Sequence, residues 1–136
     1  MQKFFRRSAA ILLIFTSLLL TTVAYAEIKT YSDVGEYLMT NETIDFAKNQ
    51  AELEAERKIL EQVSFFIKER ATMIDNELDE DEIITISAGI LRVTDTKFLF
   101  EDDAQRILVK AFVTAEIDID ELKNLLEQSI KEHSTK

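Results

Sequence analysis

The chain has 136 residues, 46% of them hydrophobic and 31% charged, with 26 acidic side chains against 16 basic ones. It has no Cys, Trp or Pro, and its one His is His133, which excludes disulfides, thiolate metal sites, zinc sites with several histidines and His-dependent catalytic triads. The net charge of −10 argues against nucleic acid as a partner, because phosphates attract Lys and Arg. The length fits one domain, and the apolar content is that of a packed core rather than of a disordered acidic chain.

The first 26 residues have the pattern of a secretory signal peptide. They contain three basic and no acidic residues, with an apolar block at residues 9–20. Ala24 and Ala26 place small side chains at the positions that a signal peptidase recognises before Glu27. The apolar block is shorter than the roughly 20 residues that span a membrane, so we expect cleavage, with retention as an anchor as the alternative. No Cys follows the block, which excludes a lipoprotein anchor.

Cleavage before Glu27 defines residues 27–136 as one exported domain, located in the periplasm or outside the cell. Because the leader carries three of the basic residues and none of the acidic ones, the net charge of the mature chain is −13. A domain of this size buries enough surface to fold without disulfides. We expect no stable membrane insertion after cleavage.

The mature chain is predicted to begin with a strand and a turn. Residues 28–39 mix aromatic and branched side chains with polar ones, which predicts a strand with a bend or a close backbone approach at Gly35. The turn at residues 40–43 follows, and in it Asn41 or Thr43 can cap the next helix by accepting hydrogen bonds from its first N–H groups.

The strongest periodic pattern predicts a helix over residues 44–70. Its apolar positions recur at spacings of three and four: Ile44, Ala47, Ala51, Ala55, Ile59, Val63, Phe66 and Ile67. Because the first half of this stripe is alanine, we expect the front of the helix to lie close on strands and the rear, with larger side chains, to cap the core. The alternative is a solvent-exposed rod or coiled coil, in which successive alanines would bury little.

A connector at residues 72–78 leads to an acidic run that resembles a helix start. Asp79 and Glu82 form a capping pair for a short helix over residues 80–88, which we expect to end at Gly89. The four β-branched residues of this segment would also suit a strand.

Two strands are predicted next, at residues 90–100 and 106–117, joined by an acidic turn at residues 101–105. The second strand alternates cleanly and has one wholly apolar face. In the first strand the apolar set changes sides, which predicts a bulge or bend near Asp95.

A terminal helix follows, with Asp118 or Asp120 as its cap, and residues 131–136 are predicted to fray. Its apolar edge consists of Leu122, Leu125, Leu126, Ser129 and Ile130. The leucines and Ile130 either pack on their own domain or form an interaction surface. The order of elements predicts an α+β domain, with a small, mostly antiparallel sheet of three to four strands covered on one face by the long helix and joined by a short second helix and a C-terminal helix.

The chemistry-bearing residues give no catalytic, cofactor or metal site. The acidic runs at residues 79–82 and 118–121 lack the turn glycine of a calcium loop and lie at helix starts, so capping is favoured over metal binding. No serine lies in a nucleophile elbow, and His133 falls in the predicted tail. Two alternatives stay open: a small hydrolase that uses two carboxylates, and a weak binder of divalent cations in the periplasm.

Four aromatic residues in the predicted strands have two interpretations. Tyr31, Tyr37, Phe98 and Phe100 either form an exposed patch for a partner or fill the second face of the sheet. Core filling is the favoured interpretation.

Several of these segments together resemble a family of exported bacterial domains, the N-terminal domain of the flagellar assembly protein T and the related LPP20-type lipoprotein domains. The segments are residues 34–37 (VGEY), 41–43 (NET), the alanine helix at 47–57, residues 87–91 and the closing strand at 109–118. The resemblance covers residues 28–122. It implies an α+β envelope module with a structural or assembly role and no catalytic residues.

The chain departs from this family in two respects: it has no lipid-bearing Cys and none of the additional domains of the flagellar protein. The resemblance therefore implies neither an outer-membrane anchor nor a flagellar role. We expect a non-enzymatic module that binds another envelope protein, through an exposed edge of the sheet or through the terminal helix. Homo-oligomerisation is compatible with this expectation.

Overall fold

The computed structural model of the chain describes residues 25–70 and 78–135. The elements in these residues are β1 (Ile28–Met39), α1 (Ile44–Arg70), α2 (Glu80–Ile90), β2 (Arg92–Asp103), β3 (Arg106–Asp118) and α3 (Ile119–His133). The predicted α+β class is confirmed. The predicted leader up to Ala24 and nearly all of the predicted connector lie outside the described residues. No helix in the described ranges combines the length and the apolar character needed to cross a membrane.

The three strands form one antiparallel sheet in the order β1-β3-β2. β3 is the central strand: β1 and β2 bond to its two edges, and its apolar face is buried under the helices. The register between β2 and β3 shifts between Val93 and Asp95, which confirms the predicted bulge. This shift places Phe98 opposite Ala111, on the face that the helices cover.

The closest contact between helix and sheet is made by α1 over Gly35 of β1. A Cβ atom at Gly35 would lie 1.8 Å from the carbonyl oxygen of Ala51 and 2.5 Å from the amide nitrogen of Ala55. Ala51, Ala55 and Ala111, which faces Gly35 in the sheet, are fully buried. The predicted close approach is confirmed, and the alternative of a free-standing rod is wrong.

The rear half of α1 carries larger side chains and completes the core. Ile59, Val63 and Ile67 are buried in one cluster with Ile83 of α2 and with the apolar face of α3. This arrangement matches the predicted gradient from alanine to branched residues along the helix.

The helix caps follow the predicted pattern. The backbone N–H of Phe46 donates to the Thr43 hydroxyl at 3.3 Å, and Asp79 forms a capping box with Glu82. Asp118 caps α3. Side-chain oxygens thus satisfy helix N–H groups that have no partner within the helix.

The predicted end of α2 is wrong, as is the strand alternative for its branched residues. The helix continues through Gly89 to Ile90, and the N–H of Leu91 bonds to the carbonyl of Ser87 at 2.9 Å. Gly89 has no positive φ and open space around it. It therefore lacks the left-handed conformation that makes glycine a helix terminator.

The two strands of the hairpin meet in a shorter turn than predicted. Only Ala104 and Gln105 form it, both with positive φ (46° and 75°), and the acids before them belong to β2, which starts at Arg92. Two residues with positive φ match the twist of a hairpin. At the chain end α3 continues to His133, and the Thr135 hydroxyl donates to the Lys131 carbonyl at 2.7 Å; the fraying of residues 131–136 stays a prediction.

Glu42 closes the turn between β1 and α1. Its carboxylate accepts hydrogen bonds from the N–H groups of Thr40 (2.9 Å) and Asn41 (3.1 Å) and from the Tyr37 hydroxyl (3.2 Å). The backbone N–H of Thr40 is the largest of the causes that lower the pKa of Glu42 from 4.5 to about 2.

The two glycines provide a matched test of the helix–strand contact. We expect Gly35→Ala to lower the free energy of unfolding by about 3 kcal/mol, because the obstacle to its Cβ is helix backbone. Gly89→Ala, in open helical surroundings, should raise it by about 0.5 kcal/mol. Urea denaturation followed by circular dichroism measures both. Equal effects would contradict the close approach.

The turn carboxylate predicts a pH dependence of stability. Because the folded pKa of Glu42 lies below its unfolded value, its contribution to stability is full above pH 4.5 and is lost as the pH falls towards 2. The stability difference between the wild type and Glu42→Gln should shrink over that window, measured by thermal melts. The exposed α1 change Glu69→Gln controls for the loss of one charge. A difference that is constant with pH would refute the assignment.

Candidate interaction surface

The apolar edge of α3, predicted as a possible interaction surface, is used mainly by the domain itself. Leu122 and Leu126 are fully buried in the core, and Ile130 is half-buried and packs against it. Leu125 is also half-buried. Leu122 and Leu126 therefore offer no surface to a partner, which corrects that part of the prediction.

The predicted cleavage position lies where the chain joins the fold. Ala24 lies outside the described residues, and Ala26 is exposed. The N–H of Glu27 donates to Asp120 Oδ2 at 3.1 Å, and its carbonyl accepts from the N–H of Ile119 at 2.9 Å. Glu27 is the first described residue that bonds to a distant part of the chain.

Both acidic runs act as helix caps. Asp79 accepts from the N–H of Glu82 at 2.8 Å, and Asp118 accepts from the N–H groups of Asp120 and Glu121, both at 3.0 Å. Across residues 25–70 and 78–135, no cluster of three or more His, Cys, Asp or Glu could hold a metal ion. His133 lies 3.4 Å from Glu82, at the end of α3.

The four aromatic residues all lie on the helix-covered face of the sheet rather than on its second face. Tyr31 is buried, Tyr37 and Phe98 are half-buried, and Phe100 is 44% exposed. Burial raises the pKa of the Tyr31 hydroxyl, which has no hydrogen-bond partner among the described residues. The burial of these side chains therefore decreases from Tyr31 on β1 to Phe100 near the end of β2.

The outer edge of β1 is blocked by side chains at its centre, at Val34. At Val34 the N–H donates to Asp33 Oδ1, and the carbonyl accepts from Lys58 Nζ, both at 2.7 Å. The side-chain amide of Gln62 donates to Asp33 Oδ2. Because Lys58 and Gln62 belong to α1, the same helix that covers β1 also blocks the centre of its free edge.

The outer edge of β2 is open. The hydrogen bond between Ile119 and Glu27 sets the alternation of the ladder, so β3 bonds to β1 through its odd residues and to β2 through its even ones. It follows that the N–H and carbonyl groups of Thr96, Phe98 and Phe100 point outwards. Within the described ranges no side chain bonds to these groups.

The helices also cover β2 very little. Glu52 of α1 accepts a hydrogen bond from the Thr96 hydroxyl at 3.0 Å, and Lys48 lies 5.4 Å from the ring centroid of Phe98. Leu99, on the opposite face, is 45% exposed. β2 therefore presents an edge and parts of both faces to solvent.

The uncovered face of the sheet is crossed by an ion-pair network next to Leu99. Lys110 of β3 lies 3.0 Å from Glu101 of β2 and 3.5 Å from Glu36 of β1. The hydrogen bond that Lys110 donates to Glu101, followed by the charges of both carboxylates, raises the pKa of Lys110. Phe112, 43% exposed, lies one step further along β3 on this face.

The sequence predicts an exposed edge of the sheet but does not indicate that this edge is β2. The clean alternation along β3 indicates that β3 is the central strand, because a strand with a fully buried face lies in the middle of a small sheet. This leaves β1 and β2 as the two edges. The blocking of β1 by Lys58 has no signal in the sequence, since it depends on the position of α1 over the sheet.

The blocking of β1 can be tested by removing it. The double variant Asp33→Ala/Lys58→Ala frees the backbone of Val34, and we expect faster aggregation at a given degree of unfolding, measured by thioflavin fluorescence and light scattering. Arg57→Ala is the control, because its exposed ion pairs join residues of α1 only. Equal aggregation of the two variants would show that the contacts do not protect the edge.

Comparison with protein-family models, with curated proteins and with solved structures found no match. The resemblance to the flagellar assembly protein T and LPP20-type domains therefore stays a prediction from the sequence motifs.

Proposed function

We propose that the protein is a non-enzymatic module of the bacterial cell envelope that is exported, is processed before Glu27 and binds another protein through strand addition at β2. The observation that carries this proposal is the open edge of β2. A strand that adds to such an edge gains main-chain hydrogen bonds, and neighbouring side chains supply specificity.

The contrast with the other candidate surfaces supports β2 as the binding edge. On β1, the side chains of Asp33 and Lys58 form hydrogen bonds with the backbone of Val34. On α3, the main apolar residues, Leu122 and Leu126, are buried in the core. At β2 the exposed parts of Leu99 and Phe100 lie beside unblocked backbone groups. A strand added at this edge would bond to the free backbone groups and cover the exposed apolar side chains at the same time.

Export is supported by the leader pattern in the sequence and by the position of Glu27 at the start of the bonded fold. The net charge of −13 after cleavage repels anionic lipid headgroups and phosphates, which favours a protein partner. The family resemblance implies the same setting.

Neither alternative class gains support from the geometry. A hydrolase would need two acids in a cleft, with pKa values pushed apart. Three acids line the groove beside β1: Asp33, Glu61 and Glu69. Asp33 is hydrogen-bonded to Val34 and Gln62, and Glu61 is paired with Arg57, so the groove offers no pair of free acids. A cation binder would need several free acids close together, whereas Asp79 and Asp118 of the acidic runs bond to helix N–H groups and Glu80 is paired with Lys68.

The export half of the proposal is tested by mass spectrometry of the protein from cells that express the full chain. We expect a periplasmic species that begins at Glu27. Ala26→Tyr should block processing because the peptidase accepts only small residues there, and Tyr25→Phe, one position away, should not. A mature species that retains the leader would contradict this half.

The binding half is tested in the same cells with a photo-crosslinking amino acid at Phe100, and with a control at Leu53, an equally exposed apolar position on α1. We expect adducts from position 100 and none from position 53. Thr96→Pro, which removes one outward N–H without breaking the bonds to β3, should weaken capture at position 100. Thr96→Val, which keeps the N–H, should not.

Equal crosslinking from both positions, or none from position 100, would refute binding at β2. Thermal melts of the Thr96 variants check that the domain is folded, because both lose the hydroxyl bond to Glu52.

A further inference from the structure

We propose that the partner at β2 is a second copy of this chain, joined β2 to β2 in antiparallel orientation about a two-fold axis at Leu99. The inference rests on the proposed role of β2 as the binding edge and names the occupant of that edge. It joins the two three-stranded sheets into one continuous sheet.

The backbone allows this register. In the free edge, the outward N–H and carbonyl groups belong to the even residues of β2 from Thr96 onwards. Pairing about Leu99 places Phe98 opposite Phe100 of the second copy and Thr96 opposite Asp102. Even residues therefore meet even residues, so each outward donor finds an outward acceptor.

The charges on the uncovered face are self-complementary in the same register. Lys97 lies opposite Glu101 of the second copy, and the two-fold axis repeats the pair. Within the monomer Lys97 is paired with Asp95 at 3.3 Å and Glu101 with Lys110 at 3.0 Å. The side chains of Lys97 and Glu101 are nevertheless 77% and 44% exposed, so both keep surface that can face the second copy. These residues form non-hydrogen-bonded pairs, in which opposed side chains lie closest.

The apolar groups of the edge are covered by the same pairing. Leu99 meets its own copy at the axis, and on the helix-covered face Phe98 meets the half-exposed ring of Phe100. Aromatic pairs opposite each other across strands are among the favourable contacts of antiparallel sheets.

The neighbouring registers match less well. A two-fold axis at Phe98 would place Asp95 opposite Glu101. An axis at Phe100 would pair Lys97 with Asp103, but it would also place Phe98 opposite Asp102 and Leu99 opposite Glu101, so that both apolar side chains face acids. In the Leu99 register the first like-charged pair is Asp95 with Asp103, beyond the paired segment. The bulge between Val93 and Asp95 disrupts the edge there.

Charge reversal gives the sharpest test. Protein purified from cells that express the full chain should be a dimer by light scattering. Lys97→Glu and Glu101→Lys each place like charges in both pairs, and each should weaken dimerisation at least about tenfold. An equimolar mixture of the two variants should restore the dimer, because each chain then faces opposite charges in both pairs.

The register is tested independently by one cysteine, since the chain has none of its own. In a non-hydrogen-bonded pair at the axis, the Cα atoms lie about 4.5 Å apart, within disulfide range. Leu99→Cys should therefore form an intermolecular disulfide on mild oxidation. Lys97→Cys is the control, because its two copies would be about 14 Å apart.

A monomeric wild type whose Leu99→Cys variant stays reduced would overturn the homotypic pairing. The pairing would also be overturned if neither charge reversal weakened dimerisation and Leu99→Cys formed no intermolecular disulfide. If the crosslinker at position 100 then captures a different envelope protein, the proposed function stands without the homotypic partner. If position 100 captures nothing, both fall.

Discussion

The fold depends on the direct contact between helix and strand backbone at Gly35. With no side chain there, the carbonyl of Ala51 and the amide of Ala55 approach the strand more closely than any Cβ would allow. This contact fixes α1 over β1 and β3, the two strands with which α1 shares most of its interface. Because the helix is narrow and sits over that side, β2 is left with little cover.

The two edges of the sheet differ because of this offset. α1 places Lys58 within reach of the Val34 carbonyl, so β1 gains a block from the element that covers it. In the part of the chain that the structure describes, α1 reaches the inner face of β2 through Glu52 and Lys48. A sheet with one edge blocked at its centre and the other edge open favours growth at the open edge, which suits limited association rather than unlimited aggregation.

Much of the fold could be predicted from the sequence, because it depends on local periodicity. The alternation along β3, the alanine stripe of α1 and the capping acids each indicate one structure. The errors have physical causes. The hairpin turn was predicted too long because Ala104 and Gln105 adopt a conformation that usually selects Gly or Asn. The apolar edge of α3 was ambiguous because an edge that packs on its own domain has the same sequence pattern as one that binds a partner. Which sheet edge is open depends on tertiary placement of α1, and no local pattern records that.

The hydrogen bond between Glu27 and Asp120 gives the proposed cleavage before Glu27 a chemical consequence. In the unprocessed chain the Glu27 nitrogen is a neutral amide that donates to a carboxylate at the start of α3. Cleavage of the peptide bond between Ala26 and Glu27 would turn the Glu27 nitrogen into an ammonium group at the same position. A neutral donor would then become a cation that faces the Asp120 carboxylate. The free end of β1 would then be held by charge as well as by hydrogen bonding, and the exported form would be anchored more firmly at its first residue than its precursor.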